Sequence, residues 1–332
     1  MNDETCLPKS MDILITERCN GACPHCINRR TRGTAEMSIS TFSSLCELLS
    51  NLGTKQVRLM GGEPTFHKDF SVFCETAQKT FPRVVVLTNA MNDHISRFCP
   101  REQDRIVYNL NAMPMSEGLS LERLLLDKPG LRAFSIVVSR NADVRDLVSK
   151  IVQLAKIDEI RHRFLFDLSA DLTEDVFRVR NRYDCALHTI FQTCLSLGLN
   201  LCYDKPGELV ALYPKCLEIE FDGGPGHAPK KMCSRRFPDY IDASGTWRFC
   251  HAFPVPVASV FLDGKPNNWA YVCSKTIEIL AERIAITANR CSGCPSHGTD
   301  CDGSCFALTE QLGYRELFKK HSLEIRLSGL QK

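Results

Sequence analysis

Cys19-Asn20-Gly21-Ala22-Cys23-Pro24-His25-Cys26 puts three thiols into eight residues, four apart and then three apart. The run before it, Met11-Asp12-Ile13-Leu14-Ile15-Thr16, is short and apolar and reads as a strand. Asn20-Gly21 and Pro24 are turn residues, so the thiols sit on a loop at the strand's carboxyl end. Three thiolates on one tight loop suit a soft metal centre, either an iron–sulfur cluster or zinc. No fourth Cys or His stands at ligand spacing just beyond. On a cubane of four irons, three ligands leave one iron open, and an open iron can bind something that reacts.

Outward from this loop the apolar pattern alternates between two periods. Ile39, Phe42, Leu45, Leu48 and Leu49 recur at helical spacing over 38–50, with Ser38 or Ser40 as cap and Gly53 as stop. Residues 56–60 read as a strand closed by Gly61-Gly62-Glu63-Pro64-Thr65, and 68–80 as a helix. Val84-Val85-Val86-Leu87 is an apolar run of the buried parallel-strand kind, ending at Thr88-Asn89. Strand 105–110, helix 119–126, strand 134–138, helix 144–155, strand 163–168 and a long helix over about 183–197 continue the series. About six βα units predict an α/β fold on a parallel sheet. Six is fewer than the eight of a closed barrel, so residues 11–205 predict a partial (β/α)6 TIM-like barrel after a lead-in at 1–10.

In such folds ligands bind at the carboxyl ends of the strands. The cysteine loop, the Gly61–Pro64 turn, Thr88-Asn89, Asn109 with Asn111, and Ser139-Arg140 all fall there, so they share one rim. Paired glycines let backbone approach a ligand closely, and Glu63 or its flanking carbonyls can accept from an amine. The plainer alternative is a strand-to-helix turn with Pro64 at the first helical position.

Composition sets the bounds. With 44% hydrophobic and 24% charged residues, the chain of 332 is ordinary globular material. A net charge of +2 gives no reason to expect nucleic acid or an anionic membrane as partner. The start, Met1-Asn2-Asp3-Glu4, lacks the basic and apolar regions of a signal peptide, and no apolar run approaches the ~20 residues of a membrane span. The expected location is cytoplasmic. Eighteen cysteines in a long chain without an export signal, bunched at ligand spacings, argue for metal rather than a disulfide framework. Arg29-Arg30-Thr31-Arg32-Gly33 is either a solvated turn or charge compensation for an anionic ligand.

After Pro206 the texture changes, and 206–332 reads as a separate Cys-rich domain. Residues 239–249 read as a hairpin turning at Ser244-Gly245, between Cys233 and Cys250. Cys291, Cys294, Cys301 and Cys305 follow within fifteen residues, a metal-binding spacing that does not separate zinc from iron–sulfur. Cys6, Cys46, Cys74, Cys99, Cys185, Cys194 and Cys202 are expected in the core.

Over residues 10–205 the sequence resembles a radical S-adenosylmethionine (SAM) enzyme, carried by Cys19-x3-Cys23-x2-Cys26, Gly61-Gly62-Glu63-Pro64 and the partial barrel around them. A structural zinc site would need a fourth ligand and would not explain the glycine turn. The resemblance implies that Cys19, Cys23 and Cys26 bind three irons of a [4Fe-4S] cluster and that the open iron chelates SAM. One electron then yields methionine and a 5′-deoxyadenosyl radical, which abstracts hydrogen; an external donor such as flavodoxin or ferredoxin supplies the electron. It further implies that Gly61, Gly62, Glu63 and Pro64 hold the methionine end and that His25 lies near adenine. Asn89, Asn111, Ser139 and Arg140 complete the SAM site, with Arg140 on the carboxylate.

The C-terminal third resembles the SPASM, or shorter twitch, extension with auxiliary [4Fe-4S] clusters. Cys233-x11-Gly245-x4-Cys250 matches its first half. The second half departs from it: six residues separate Cys294 from Cys301 where five are usual, and nothing after Cys305 is Cys. One or two auxiliary clusters therefore remain open. Interleaved ligands would give Cys233, Cys250 and Cys305 to one and Cys291, Cys294 and Cys301 to the other; Cys216 and Cys273 are spare thiols that could complete a set. His251, His297, Asp300 and Asp302 stand beside these cysteines as candidate bases, or as solvated groups and supports of the cluster ligands.

The resemblance favours modification of a peptide or protein, by crosslink or oxidation. Residues 1–10 leave no room for a leader-peptide-binding domain, so a separate partner would have to supply it. The alternative is a SAM-dependent dehydrogenase or rearranging enzyme acting on a small molecule in natural-product biosynthesis. A third reading, an iron–sulfur electron carrier or sensor without SAM, leaves Gly61–Pro64 unexplained.

Overall fold

The computed structural model describes residues 7–23, 26, 33–112, 131–138, 143–155, 164–168, 189, 193, 196–197, 237–251 and 254–291. Six strands run in parallel: β1 Ser10–Thr16, β2 Gln56–Gly61, β3 Arg83–Thr88, β4 Arg105–Asn109, β5 Leu131–Val138 and β6 Phe164–Leu168. Each pairs with the next in sequence order, as consecutive strands most often do. Helices α1 Ile39–Asn51, α2 Phe70–Thr80 and α3 Val144–Ala155 fall where the apolar spacing predicts them. The expected partial α/β barrel is the observed architecture.

Alternation along the strands decides what each face does. Met11, Ile13 and Ile15 of β1, Val57 and Leu59 of β2, Val84 and Val86 of β3, and Ile106 and Tyr108 of β4 join one core. They pack on Phe42, Leu45 and Leu49 of α1, Phe70, Phe73 and Ala77 of α2, and Leu147 and Ile151 of α3. The Phe42 and Phe73 rings meet at 4.6 Å where the first two helices touch. Ser38 caps α1, its Oγ accepting from the Thr41 N–H at 3.1 Å. The opposite face carries Asp12, Arg58, Met60, Val85, Leu87, Val107 and Asn109; in a curled sheet this is the barrel interior.

The hairpin of the C-terminal third joins this same sheet. β7 Tyr240–Ile241 pairs in parallel with β1, Asp12 opposite Tyr240 and Ile13 opposite Ile241. β8 Thr246–Arg248 and β9 Pro256–Ser259 follow antiparallel, giving the order β6-β5-β4-β3-β2-β1-β7-β8-β9. The turn has Gly245 at φ +77°, where a side chain is strained, and Asp242 Oδ1 accepts from Ser244 N, Ser244 Oγ and Thr246 N. Trp247 lies on the helix-covered face, edge-on to Trp269 at 5.3 Å. A small antiparallel pair, β10 Phe261–Leu262 and β11 Lys265–Pro266, leads into α4 Trp269–Cys291.

The structure adds to and corrects the sequence reading here. Helix α4 was not expected; its buried Val272, Cys273, Thr276 and Leu280 follow a helical period. Glu63 caps a 3-10 turn, Pro64–Phe66, so the expected helix over 68–80 starts only at Phe70. Cys99 is exposed, not core, because it stands in the loop before β4, whereas Cys46 and Cys74 are buried on α1 and α2. The helix over 119–126 and the boundary near 206 lie outside the described residues; of 183–197 only 189, 193 and 196 are described as helical.

Candidate active site

The strand ends bring the cysteine loop and the glycine turn together. After β1 the chain departs at Glu17 and returns at Ala35, with Glu17 N–H on Ala35 O and Met37 N–H on Ile15 O, both at 2.9 Å. These bonds close the base from which Cys19 and Cys23 project. A Cβ at Gly21 would stand 3.5 Å from Cys23 Sγ, 3.6 Å from Cys19 Sγ and 3.6 Å from Asn89 Nδ2. Gly21 therefore leaves a cradle between two thiols that any larger residue would fill. Its own N–H donates to Cys19 Sγ at 3.2 Å, and Cys26 N–H donates to Cys23 O at 3.2 Å.

Gly61 and Gly62 press against the backbone of that loop. A Cβ on Gly61 would overlap Thr16 O, and one on Gly62 would overlap the carbonyls of Glu17 and Arg18. The close approach bonds Gly62 N–H to Thr16 O and Glu63 N–H to Arg18 O, each at 2.8 Å. The glycines thus fix the cysteine loop onto the end of β2. The Glu63 carboxylate is buried and turned inward. It accepts from Thr65 N (3.2 Å), Thr65 Oγ1 (2.7 Å), Thr88 Oγ1 (2.8 Å) and Asn89 N (2.6 Å). Burial raises its pKa above the usual range despite these donors.

Glu63 in turn sets the end of β3. Asn89, held by that carboxylate, donates through Nδ2 to Asn20 Oδ1 at 2.8 Å and reaches Cys19 Sγ at 3.8 Å. Ala90 has φ +51°, a left-handed conformation supported by its N–H on Thr88 Oγ1. At the end of β4, Asn109 Oδ1 accepts from Asn111 N–H at 3.1 Å, and buried Lys150 of α3 donates to Leu110 O at 3.1 Å. Four strand ends therefore carry Cys19, Gly61–Pro64, Asn89 and Asn111 along one rim. The sequence reading placed Thr88 on the rim, Asn20 in the cysteine loop and Thr65 in the glycine turn, but missed that they are the polar links that join the first three.

A second group stands at the other end of the sheet. Because β8 runs antiparallel to β1, it delivers Phe249, Cys250 and His251 towards the amino end of β1. Cys250 packs against the cluster of Phe249 and Leu280, and α4 runs on from Leu280 to end at Cys291. His251 Nε2 lies 3.0 Å from Asp12 Oδ2, and its ring stacks on Tyr240 at 4.2 Å and 7°. Arg58 closes on the same carboxylate, its Nη2 donating to Oδ2 at 2.8 Å and its Nε to Oδ1. Burial alone would raise Asp12, but the His251 hydrogen bond and the Arg58 charge hold it below the usual carboxylate range. Asp12, the one charge in an apolar strand, was a signal the sequence offered.

Cys19, Cys23, Cys26 and Cys250 are in no disulfide. Among the described residues no three His, Cys, Asp or Glu side chains converge on a point that would hold one metal ion. A cubane asks for less convergence, since each thiolate binds a different iron. The soft donors of the loop, the Gly21 cradle and the N–H groups directed at Cys19 sulfur fit such a cluster. Pro24, His25, residues 27–32, Ser139, Arg140, Cys216, Cys233, Cys294, His297, Asp300, Cys301, Asp302 and Cys305 lie outside the described residues, and Cys291 is described only as the last residue of α4.

A partial parallel barrel whose first strand hands a three-thiol loop to a Gly-Gly-Glu turn on its second is the framework of radical SAM enzymes. Residues 13–116 match the model of the radical SAM superfamily, a domain that implies a [4Fe-4S] cluster and SAM. A probable GTP 3′,8-cyclase of Methanopyrus kandleri is 29% identical over 108 residues, 32% of this chain and 35% of that protein. PqqA peptide cyclase of Rhodopseudomonas palustris is 37% identical over 65 residues, 19% of this chain and 17% of that protein. Among solved structures, Streptococcus suis SuiB bound to precursor peptide SuiA has a TM-score of 0.51 at 16% identity, covering 73% of this chain and 59% of that one. Native anSMEcpe with bound AdoMet and Cp18Cys peptide has the same TM-score at 13% identity, covering 98% of this chain and 100% of that one. The chain thus spans about a third of the first curated relative, and its likeness to the two structures is one of fold. Among the described residues no helix is long and apolar enough to cross a membrane.

Proposed function

We propose that this protein is a radical SAM enzyme that modifies a peptide or protein by crosslinking or oxidation, with help from an auxiliary [4Fe-4S] cluster. The observation that carries the first part is the rim on which Cys19, Cys23 and the Gly21 cradle are fixed by Gly61, Gly62 and Glu63 through backbone bonds. Cys19, Cys23 and Cys26 would hold the cluster that, with SAM bound, supplies a 5′-deoxyadenosyl radical for hydrogen abstraction. Because the Glu63 carboxylate is turned inward, the backbone carbonyls beside it are the better acceptors for the SAM amino group. His25, Pro64, Asn89, Asn111, Ser139 and Arg140 complete the proposed SAM site. Cys233, Cys250, Cys291, Cys294, Cys301 and Cys305 would hold one or two auxiliary clusters. The peptide reading is supported by two solved structures of the same fold, SuiB bound to precursor peptide SuiA and anSMEcpe with bound Cp18Cys peptide.

A second reading, a small-molecule substrate, is favoured by the identity that the barrel shares with GTP 3′,8-cyclases. One experiment separates the two. Reconstituted and chemically reduced protein is incubated with SAM and either a perdeuterated peptide pool or deuterated GTP, and 5′-deoxyadenosine is analysed by mass spectrometry. Deuterium arriving from the peptides alone is the expected result. Deuterium from GTP alone would replace the first reading by the second. No cleavage of SAM by protein holding a full cluster would remove both.

A further inference from the structure

We infer that Asp12 and His251 form a clasp that positions Cys250, and through it an auxiliary cluster, against the floor of the barrel. The inference rests on the reading of Cys250 as a cluster ligand and adds two positioning residues to it.

The clasp joins residues 239 apart in sequence. Asp12 sits in the middle of β1, four residues below the point where the strand gives way to the cysteine loop. Tyr240 pairs with Asp12 across β1 and β7, and Arg248 pairs with Tyr240 across β7 and β8. All three stand in one register layer. Past Arg248 the strand ends, and Cys250 belongs to no ladder. His251 folds back into the layer that the chain has just left. Its ring is fixed in angle by the stack on Tyr240 and in depth by the hydrogen bond to Asp12. Arg58 holds Asp12 from the other side, so the carboxylate is a stationary acceptor. Below Cys250, Phe249 is anchored to α4 through Leu280. The cysteine is thus held between two fixed neighbours, one on each side of it in sequence.

The chemistry of the clasp points the same way. An ionised Asp12 accepts, so Nε2 carries the imidazole proton, and the buried Nδ1 has no hydrogen-bond partner among the described residues. Burying a carboxylate with its hydrogen-bonded partner is a costly way to fill space, since apolar residues of similar volume serve stability as well or better. What the hydrogen-bonded pair adds is a defined geometry. The position and hydrogen bonding of a cluster's surroundings set its potential and its retention. The strand that feeds the Cys19 loop therefore also fixes the segment bearing Cys250, and one rigid element references both iron sites.

The test uses full-length protein carrying Cys19, Cys23 and Cys26→Ala, so that any iron left after anaerobic reconstitution belongs to the auxiliary set. Three proteins are compared in this background: the parent, His251→Phe, which keeps the stack and loses the donor, and His251→Gln, whose amide can still donate to Asp12. The readouts are the electron paramagnetic resonance spectrum of the reduced cluster, its midpoint potential, and the half-life of iron in a chelator, with thermal midpoint as a folding control. The expected result is an altered spectrum and potential for His251→Phe, a chelator half-life shorter by about tenfold, and near-parent behaviour for His251→Gln. Asp12→Leu, which removes the acceptor, should follow His251→Phe. A lowered thermal midpoint with unchanged cluster signals would make the clasp merely structural and overturn the inference. Equal behaviour of the Phe and Gln variants would overturn it too. A parent protein without iron, seen before any change at 12 or 251, would remove the auxiliary-cluster reading and the clasp with it.

Discussion

Replacing Gly62 by alanine sets a methyl group against the Glu17 and Arg18 carbonyls, and neither is a flexible side-chain end. The cysteine loop must shift, at a cost of about 1–3 kcal/mol. The same variant should lose iron from the N-terminal site faster than wild type, which iron content before and after gel filtration would record. Asn89→Ala tests the other support of the loop. It removes the bonds to Asn20 and Cys19 while Glu63 keeps the Asn89 backbone N–H. Stability should fall by only about 1 kcal/mol in thermal or urea unfolding, while SAM-cluster retention drops measurably. These residues were partly legible: Gly61, Gly62 and Asn89 stand out because strand ends and paired glycines are local patterns. What they touch was not. The glycines approach the cysteine-loop backbone, and the Glu63 carboxylate serves Thr65, Thr88 and Asn89, because pairing of β1, β2 and β3 brings together residues far apart in sequence.

Among the elements, β3 and β4 share a clamp at the end of the sheet away from the site. Asp104 is fully buried and accepts from Arg101, Gln78 and the Val84 N–H, while Arg101 also donates to the Gln78 and Phe81 carbonyls. Burial pushes the Asp104 carboxyl up, but the Arg101 and Gln78 bonds outweigh it and its pKa lies below the usual value. A depressed carboxylate stabilises the fold above its unfolded pKa of about 3.9 and loses that contribution as pH falls through the folded value. Asp104→Asn should therefore unfold at lower temperature than wild type at pH 7, with the gap narrowing below about pH 4. On the hairpin, Trp247→Ala should cost about 3–5 kcal/mol, since the ring is buried against Trp269 and the main core; urea unfolding would measure it. Strands β1 to β4 and helices α1 to α3 were legible because each has a strong apolar period and a cap or turn residue. Helix α4 was obscured by the cysteines at its end and by the mixed polarity of its exposed face. The pairing of β7 with β1 is set by tertiary contact and leaves no period in the sequence.

At the scale of the whole molecule, one sheet links two regions. The Cys19 loop stands at the carboxyl ends of the parallel strands, and Cys250 lies towards their amino ends, with the Asp12, Arg58 and Tyr240 layer between. The spacing of Cys19, Cys23 and Cys26 made the first region legible. The second was legible as cysteine spacing and as the hairpin over 239–249, but its place against β1 was not, because the direction of β8 depends on its partner strand. The central claim is that the Cys19, Cys23 and Cys26 cluster keeps one iron open for SAM. Its most direct test is the electron paramagnetic resonance spectrum of reduced, reconstituted protein with and without SAM, in wild type and in the variant with all three cysteines changed to alanine. The account predicts a cubane signal that SAM shifts in wild type, and no SAM-sensitive signal in the variant. A wild-type cubane signal indifferent to saturating SAM, or a SAM-sensitive signal surviving in the variant, would contradict it.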